Sequence, residues 1–269
     1  MECPGKLIAL SKEGTMKRSH IILTLALSIG MLHDPARIYG QTQVPATGKK
    51  DEVVLNRAAI DQVLTTTRTV RRRLDLTRSI DPKVITEALD IAVQAPTGSN
   101  TQGWYFIVVT DPEKKKAIAD LYRKGADMYA NRPRPEYGAD DPRTKQAAQI
   151  AKSGAYLRKH LHEVPAIVFA GIEGRFEKEP QFVQASMYGS ILPAAWSFML
   201  ALRARGVGAA WTTLALIHEK EVAQILAIPD NITLAVMLPI AYYQGTDFKP
   251  ATRLPAKEHT YWNTWGQHQ

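Results

Sequence analysis

Hydrophobic positions in the chain follow two rhythms, and the stretches where neither holds turn out to matter most. Ile85, Ala88, Leu89 and Ala92 recur at helical spacing behind Asp81 and Pro82. A capping carboxylate and a first-turn proline ahead of one apolar stripe predict a helix starting at 82. Asp111-Pro112 opens another in the same way, with Ile118, Leu121 and Tyr122 facing inward. An earlier helix covers "RAAIDQVLTT" and stops at the basic run "RTVRRR". Unbroken apolar runs mark buried strands at 104–110, at "PAIVFAGI" (165–172), at "VGAAWTTLAL" and at "ITLAVMLPIAYY" (232–243), with a short helix "EKEVAQIL" between the last two.

One helix breaks the amphipathic rule. Residues 182–205 are apolar on most sides, through Met187, Ile191, Leu192, Trp196, Phe198 and Met199, and end at Gly206. Pro193 should kink it. A helix apolar all round needs cover on every face, and a partner subunit is the natural source. By contrast, 124–146 is charged and interrupted by proline and glycine, and reads as a mobile excursion or lid. The elements together predict an α+β domain of two or three layers.

Composition narrows the chemistry by exclusion. The single cysteine, Cys3, rules out an intramolecular disulfide and cysteine-rich metal sites. His160 and His162 in "KHLHEV" alternate on a polar helix end and point apart, so no metal site is expected. "GVGAAW" carries two glycines of a dinucleotide fingerprint, but Trp211 stands at the third and the run leads from helix into strand. No Rossmann site is expected there. No phosphate loop, nucleophile elbow or His-Glu-x-x-His motif is present, and no catalytic acid can be named. A chain without its own catalytic apparatus points to a bound cofactor. The net charge of +8 suits an anionic partner, yet no RNA- or DNA-reading motif accompanies it, so nucleic acid is not the expected partner.

The N-terminus stands apart. From Met16, "MKRSHIILTLALSIGML" has a basic start and an apolar run too short to span a bilayer. It reads either as an export signal or as a hydrophobic extension. With the linker "QTQVPATGKKDE" it sets residues 1–55 apart from a folded domain at 56–269.

Three pieces remain with chemistry to offer: the run from Arg68 to Arg73, the loop "PTGSNTQGW" at 96–104, and "FKPATRLP" near the C-terminus with Lys249 and Arg253. Guanidinium groups match phosphate because their planar fork donates two parallel hydrogen bonds. Asn100 offers a donor and an acceptor to a mixed polar edge, and Gly98 lets backbone approach a ring. The order Arg-Thr-Val-Arg, then Ala-Pro-Thr-Gly-Ser-Asn-x-Gln-x-Trp, resembles the FMN-dependent nitroreductase family. The likeness extends through "RGVGAAW" and "TRLP" before "WNTWG". Gly103 stands where the family has proline, and the extra residue in "VRRRLD" leaves open which of Arg71, Arg72 and Arg73 faces the phosphate.

What the resemblance implies is specific. The fold would be a three-layer α/β/α sandwich in an intertwined homodimer with FMN at the interface. Arg68, Thr69, Arg71, Arg72 and Arg253 would take the phosphate end. Pro96, Thr97, Ser99 and Asn100 would border the ring and ribityl chain, with Thr213 and Leu214 at the ring edge. NADH or NADPH would deliver hydride, and a small electron-poor acceptor such as a nitroaromatic or quinone would follow into the same pocket. Family variants that fragment their flavin, remove halide or oxidise a ring form the alternative. A cytoplasmic location without stable membrane insertion is expected, with export as the alternative if Met16 begins a signal.

Overall fold

The computed structural model describes residues 55–245 and 248–269. Cys3, the apolar run from Met16 and the linker up to Glu52 lie outside the described residues.

Four antiparallel strands form one sheet. They are β1 (Trp104–Val109), β2 (Ala166–Glu173), β3 (Val207–Ala209) and β4 (Ile232–Tyr242), ordered β1-β2-β4-β3. β2 and β4 are the central pair, buried along nearly their whole length, which is why both read as unbroken apolar runs rather than alternating ones. β2 pairs Ala166 with Ile240 at one end and Glu173 with Ile232 at the other, with one irregularity between Ala170 and Gly171.

Helices cover both faces. On one side α2 (Pro82–Ala92) and α5 (Gln181–Arg203) enclose a core around Ala88, Val168, Ile191, Phe198 and Leu238. On the other, α3 (Pro112–Ala130), the turn after α4 (Pro142–His160), and α6 (Glu219–Leu226) enclose Ile118, Leu161, Phe169, Val222 and Met237. The three-layer α/β/α sandwich is therefore the observed architecture, with α1 (Arg57–Thr66) at its margin. The predicted caps hold: Asp81 accepts from Lys83 N–H and Asp111 from Lys114 N–H. Gly206 ends α5 at φ +75°, a conformation in which only glycine is free of penalty.

Three expectations change. α3 runs on to Ala130 and α4 begins at Pro142, so the irregular excursion shrinks to 131–141. Asp141 caps α4 through Arg143 N–H, the same Asp-Pro device used by α2 and α3, hidden in the sequence by its polar surroundings. "VGAAWTTLAL" is strand only over Val207–Ala209, and Leu214–His218 winds into a 3₁₀ turn. α5 spans Gln181–Arg203 rather than 182–205, with Pro193 inside it. By length and composition α5 is also long and apolar enough to cross a membrane, but it packs on the sheet as a core helix.

Candidate functional site

The basic run after α1 does not continue as helix. Thr69 pairs with Ala209 in parallel, Val70 N–H donates to Ala209 O at 2.8 Å, and Trp211 N–H donates to Thr69 Oγ1 at 3.4 Å. Residues 68–71 thus lie extended beside β3 and the segment that follows it, at the free edge of the sheet.

From this edge the arginines part. Arg68 joins Arg73 and Arg203 around the Phe248 ring, their guanidinium carbons 5.5, 4.1 and 5.2 Å from its centroid. Burial pulls the Arg68 pKa below its ordinary value, and the positive charges of Arg253, Arg203 and Arg73 pull it further. The charge of Arg253, from the opposite end of the chain, is thus felt at Arg68. Arg68 Nε and Nη2 are sealed from solvent and reach no acceptor among the described residues. A buried donor left without a partner costs about 1–3 kcal/mol, and more when charged. Like charges gathered around unfilled donors call for an anion. Arg203 was missed in the sequence. Arg203 sits in the last turn of an apolar helix and donates to Tyr243 Oη at 2.5 Å, a placement no motif announces.

Arg71 goes elsewhere. Its Nη1 donates to Ser153 Oγ of α4 at 3.4 Å, and burial lowers its pKa while the nearby Tyr122 raises it. It lines a cavity of about 1250 Å³ together with Tyr122, Trp211, Thr213 and Leu214, under the 131–141 segment. Tyr122, hydrogen-bonded to Thr212, has its hydroxyl pKa raised by burial. Gly125 of α3 keeps this wall in place, because a Cβ there would stand 2.1 Å from the Leu214 carbonyl oxygen. Arg72 is exposed. Of the three arginines left open by the sequence, Arg73 stands with Arg68, Arg71 enters the cavity, and Arg72 is not recorded in either group.

The loop at 96–104 is built as a rigid platform. Ser99, Asn100 and Gln102 all have positive φ, 51°, 53° and 51°. Such backbone costs about 1–2 kcal/mol per non-glycine residue and persists only where the surroundings impose it. They do: Gly98 N–H donates to Ser190 Oγ of α5 at 2.9 Å, Gln102 N–H to Thr97 Oγ1 at 3.0 Å, and Gln102 Nε2 to Asn100 Oδ1 at 3.3 Å. Pro96, Ser99 and Asn100 stay exposed, with Thr97 half-buried.

Within one chain the loop and the Arg68 group do not meet. Gly103 O accepts from Glu173 N–H, next to Ile172, which pairs with Thr233; Thr69 lies beside Ala209, which pairs with Ile240. The seven residue-to-residue steps from 233 to 240 separate the two by about 23 Å along β4. No metal-binding group of three His, Cys, Asp or Glu side chains occurs among the described residues. His160 faces Glu163 instead, at 2.8 Å.

The profile of the Nitroreductase family matches residues 64–242. Among curated proteins, an iodotyrosine deiodinase of Drosophila melanogaster is 27% identical over 167 residues, covering 60% of this chain and 55% of that one. The chain thus spans little more than half of that relative's length. An NADH dehydrogenase of Thermus thermophilus is 23% identical over 192 residues, covering 66% of this chain and 84% of the other. Among solved structures, an iodotyrosine deiodinase bound to FMN and 3-iodo-L-tyrosine superposes with a TM-score of 0.57 at 21% identity, covering 76% of this chain and 98% of that one. The FMN-dependent nitroreductase NfnB from Mycobacterium smegmatis, in complex with NADPH, gives 0.57 at 17% identity, covering 77% and 99%. At these identities the structural likeness speaks to the fold.

Proposed function

The chain belongs to the nitroreductase family, and on that premise we propose that it is an FMN-dependent oxidoreductase carrying electrons from NADH or NADPH to a small electron-poor acceptor. The observation that carries this reading is Arg68, half-buried, with two sealed guanidinium donors unfilled and the charges of Arg253, Arg203 and Arg73 acting on it. That arrangement fits a phosphate monoester, which brings up to two negative charges and three acceptor oxygens.

In this reading Arg68, Arg73 and Arg253 hold the phosphate, and Thr69 and Trp211 line the way from it towards Arg71, Thr213 and Leu214. Arg71 places a buried positive charge beside the ring, where negative charge develops on reduction. Trp211 and Tyr122 give the cavity flat and partly apolar walls that exclude water. When bound, the flavin supplies the redox chemistry, which no side chain of this protein provides. Arg72, exposed, is left without a role.

The rigid loop completes the site from a second chain. A two-fold dimer makes each contact twice, so the loop of one protomer is free to reach the Arg68 end of its partner. The surface such a dimer needs is present: Phe182, Tyr188 and Trp196 stand exposed on α5, and no atom lies within 4 Å of a Cβ built at Gly189 between them. These side chains account for the cover that α5 lacks within one protomer. We place the enzyme in the cytoplasm, where FMN and nicotinamide are made available, with residues 1–55 as an extension of the 56–269 domain.

The deiodinase relatives favour a second reading, reductive removal of halide from a halogenated phenol. Purified protein tests both. Visible flavin absorbance as isolated, and NAD(P)H oxidation with menadione or a nitroaromatic, are expected for the first. Iodide release from an iodophenol without quinone turnover would favour the second. Colourless protein that takes up no FMN would end both.

A further inference from the structure

Resting on the flavoenzyme reading, we propose that the cavity under residues 131–141 contains an anion subsite, formed by Arg132 and Arg134, for a flat reactant that carries a negative group. The cavity is lined by five arginines and by Glu136 as its one acidic side chain. Two of the five are already occupied. Arg143 is bidentate on Asp141, with Nη2 2.6 Å from Oδ2, and lies 3.7 Å over the Tyr137 ring. Arg158 holds Asp127 at 2.6 Å. Arg71, deep in the cavity, belongs to the ring in the reading above.

Arg132 and Arg134 differ from these. Neither takes part in an ion pair or side-chain hydrogen bond among the described residues, and both line the cavity from the segment joining α3 to α4. Glu136 offsets one of the two charges and leaves a surplus at the mouth. Tyr129, Tyr137 and Trp211 line the same space, and aromatic walls suit a planar molecule. Flat walls inside and unpaired guanidinium groups at the rim select an aromatic ring with a carboxylate, sulfonate or phosphate a short distance away. Guanidinium recognises all three in the same bidentate manner. Two reactants could bring that group: the acceptor itself, or the 2′-phosphate that distinguishes NADPH from NADH.

The test uses the FMN-loaded protein and the double variant Arg132→Gln/Arg134→Gln, whose changes are confined to exposed side chains. Steady-state KM and kcat are measured for 4-nitrobenzoate, its neutral isostere 4-nitrobenzamide, and menadione, each with NADH and with NADPH. Calorimetry with benzoate and with adenosine 2′,5′-bisphosphate reads binding without turnover. Loss of charge-assisted hydrogen bonds is expected to raise the KM for the anionic reactant about tenfold while leaving menadione kcat unchanged. A loss confined to nitrobenzoate and benzoate assigns the anion to the acceptor. A loss confined to NADPH and the bisphosphate assigns it to the donor. If menadione is turned over normally and no KM moves by more than about twofold, the change expected of an ordinary surface substitution, the subsite is refuted and the flavoenzyme reading stands. If no acceptor is reduced even by the unaltered protein, the flavoenzyme reading fails first and this proposal falls with it.

Discussion

At the end of the sheet where β3 meets the Arg68 segment, charge is plentiful and two Arg68 donors reach no acceptor among the described residues. At the end where residues 96–102 turn into β1, the reverse holds: the strained Asn100 and Gln102 are pinned by hydrogen bonds, and no cation is among the groups that pin them. One end has affinity for an anion without a floor for a ring, and the other has the floor without the affinity. Under the proposed function neither end would be a site alone. Each would be half of one, built by a different physical means and set about 23 Å from its complement by the strand between them.

The strongest way to break this comparison is to separate the halves genetically. Arg68→Ala and Asn100→Ala are each expected to lose FMN binding as pure proteins. Mixed, unfolded and refolded together, they form heterodimers in which one site carries both defects and the other neither. About a quarter of all sites then recovers, by the two-fold symmetry of the contact. A titration of bound flavin against mixing ratio that stays flat would place both halves in one chain.

Arg68→Ala alone sharpens the charged end. FMN affinity is expected to fall about 10- to 100-fold, the worth of one or two charge-assisted hydrogen bonds. Without FMN, the melting temperature should hold or rise, because the variant removes two unfilled donors and a charge repelled by Arg253, Arg203 and Arg73. A residue kept for structure would lower both together.

Gly125→Ala probes the wall between the halves. The added Cβ meets the backbone oxygen of Leu214, which cannot rotate away, so α3 and the 213–214 turn must shift at a cost of about 2–3 kcal/mol. A lower melting temperature with a raised acceptor KM is expected. Ordinary stability in this variant would show that the wall is pliant.

Acid gives the smallest effect. Asp141 is held down to about 2 by the side-chain and backbone hydrogen bonds of Arg143. A depressed carboxyl stabilises the folded form above its unfolded pKa of about 3.9 and loses that contribution as pH falls towards 2. Hydrogen exchange should therefore report fraying of the first turn of α4 between about pH 4 and 2. The loop at 96–104, pinned by hydroxyl and backbone groups that do not titrate there, should keep its protection.

Much of this was legible in the sequence, for reasons that can be stated residue by residue. Asp81-Pro82 and Asp111-Pro112 announced α2 and α3 because capping is a local interaction. The same dipeptide at Asp141-Pro142 went unread because the helix behind it carries few apolar residues to confirm a period. β2 and β4 stood out because burial on both faces leaves no polar alternation. β3 was overextended because the residues after Ala209 keep their apolar character while the chain turns away. Arg68 and Arg253 were singled out by the family resemblance, which implied that they share one phosphate. What no local pattern could reveal was distance. That Arg73 and Arg203 converge on Phe248, that Arg71 departs into a cavity, and that Asn100 stands at the far end of the sheet are properties of β4's register and length.

That strand has a further consequence. If this buried strand holds the halves too far apart for any chain to serve itself, catalysis needs an encounter between copies. Output per molecule would then climb with abundance, fall away on dilution, and be open to poisoning by a single defective allele product. A cell making little of this protein would possess the polypeptide without possessing the enzyme.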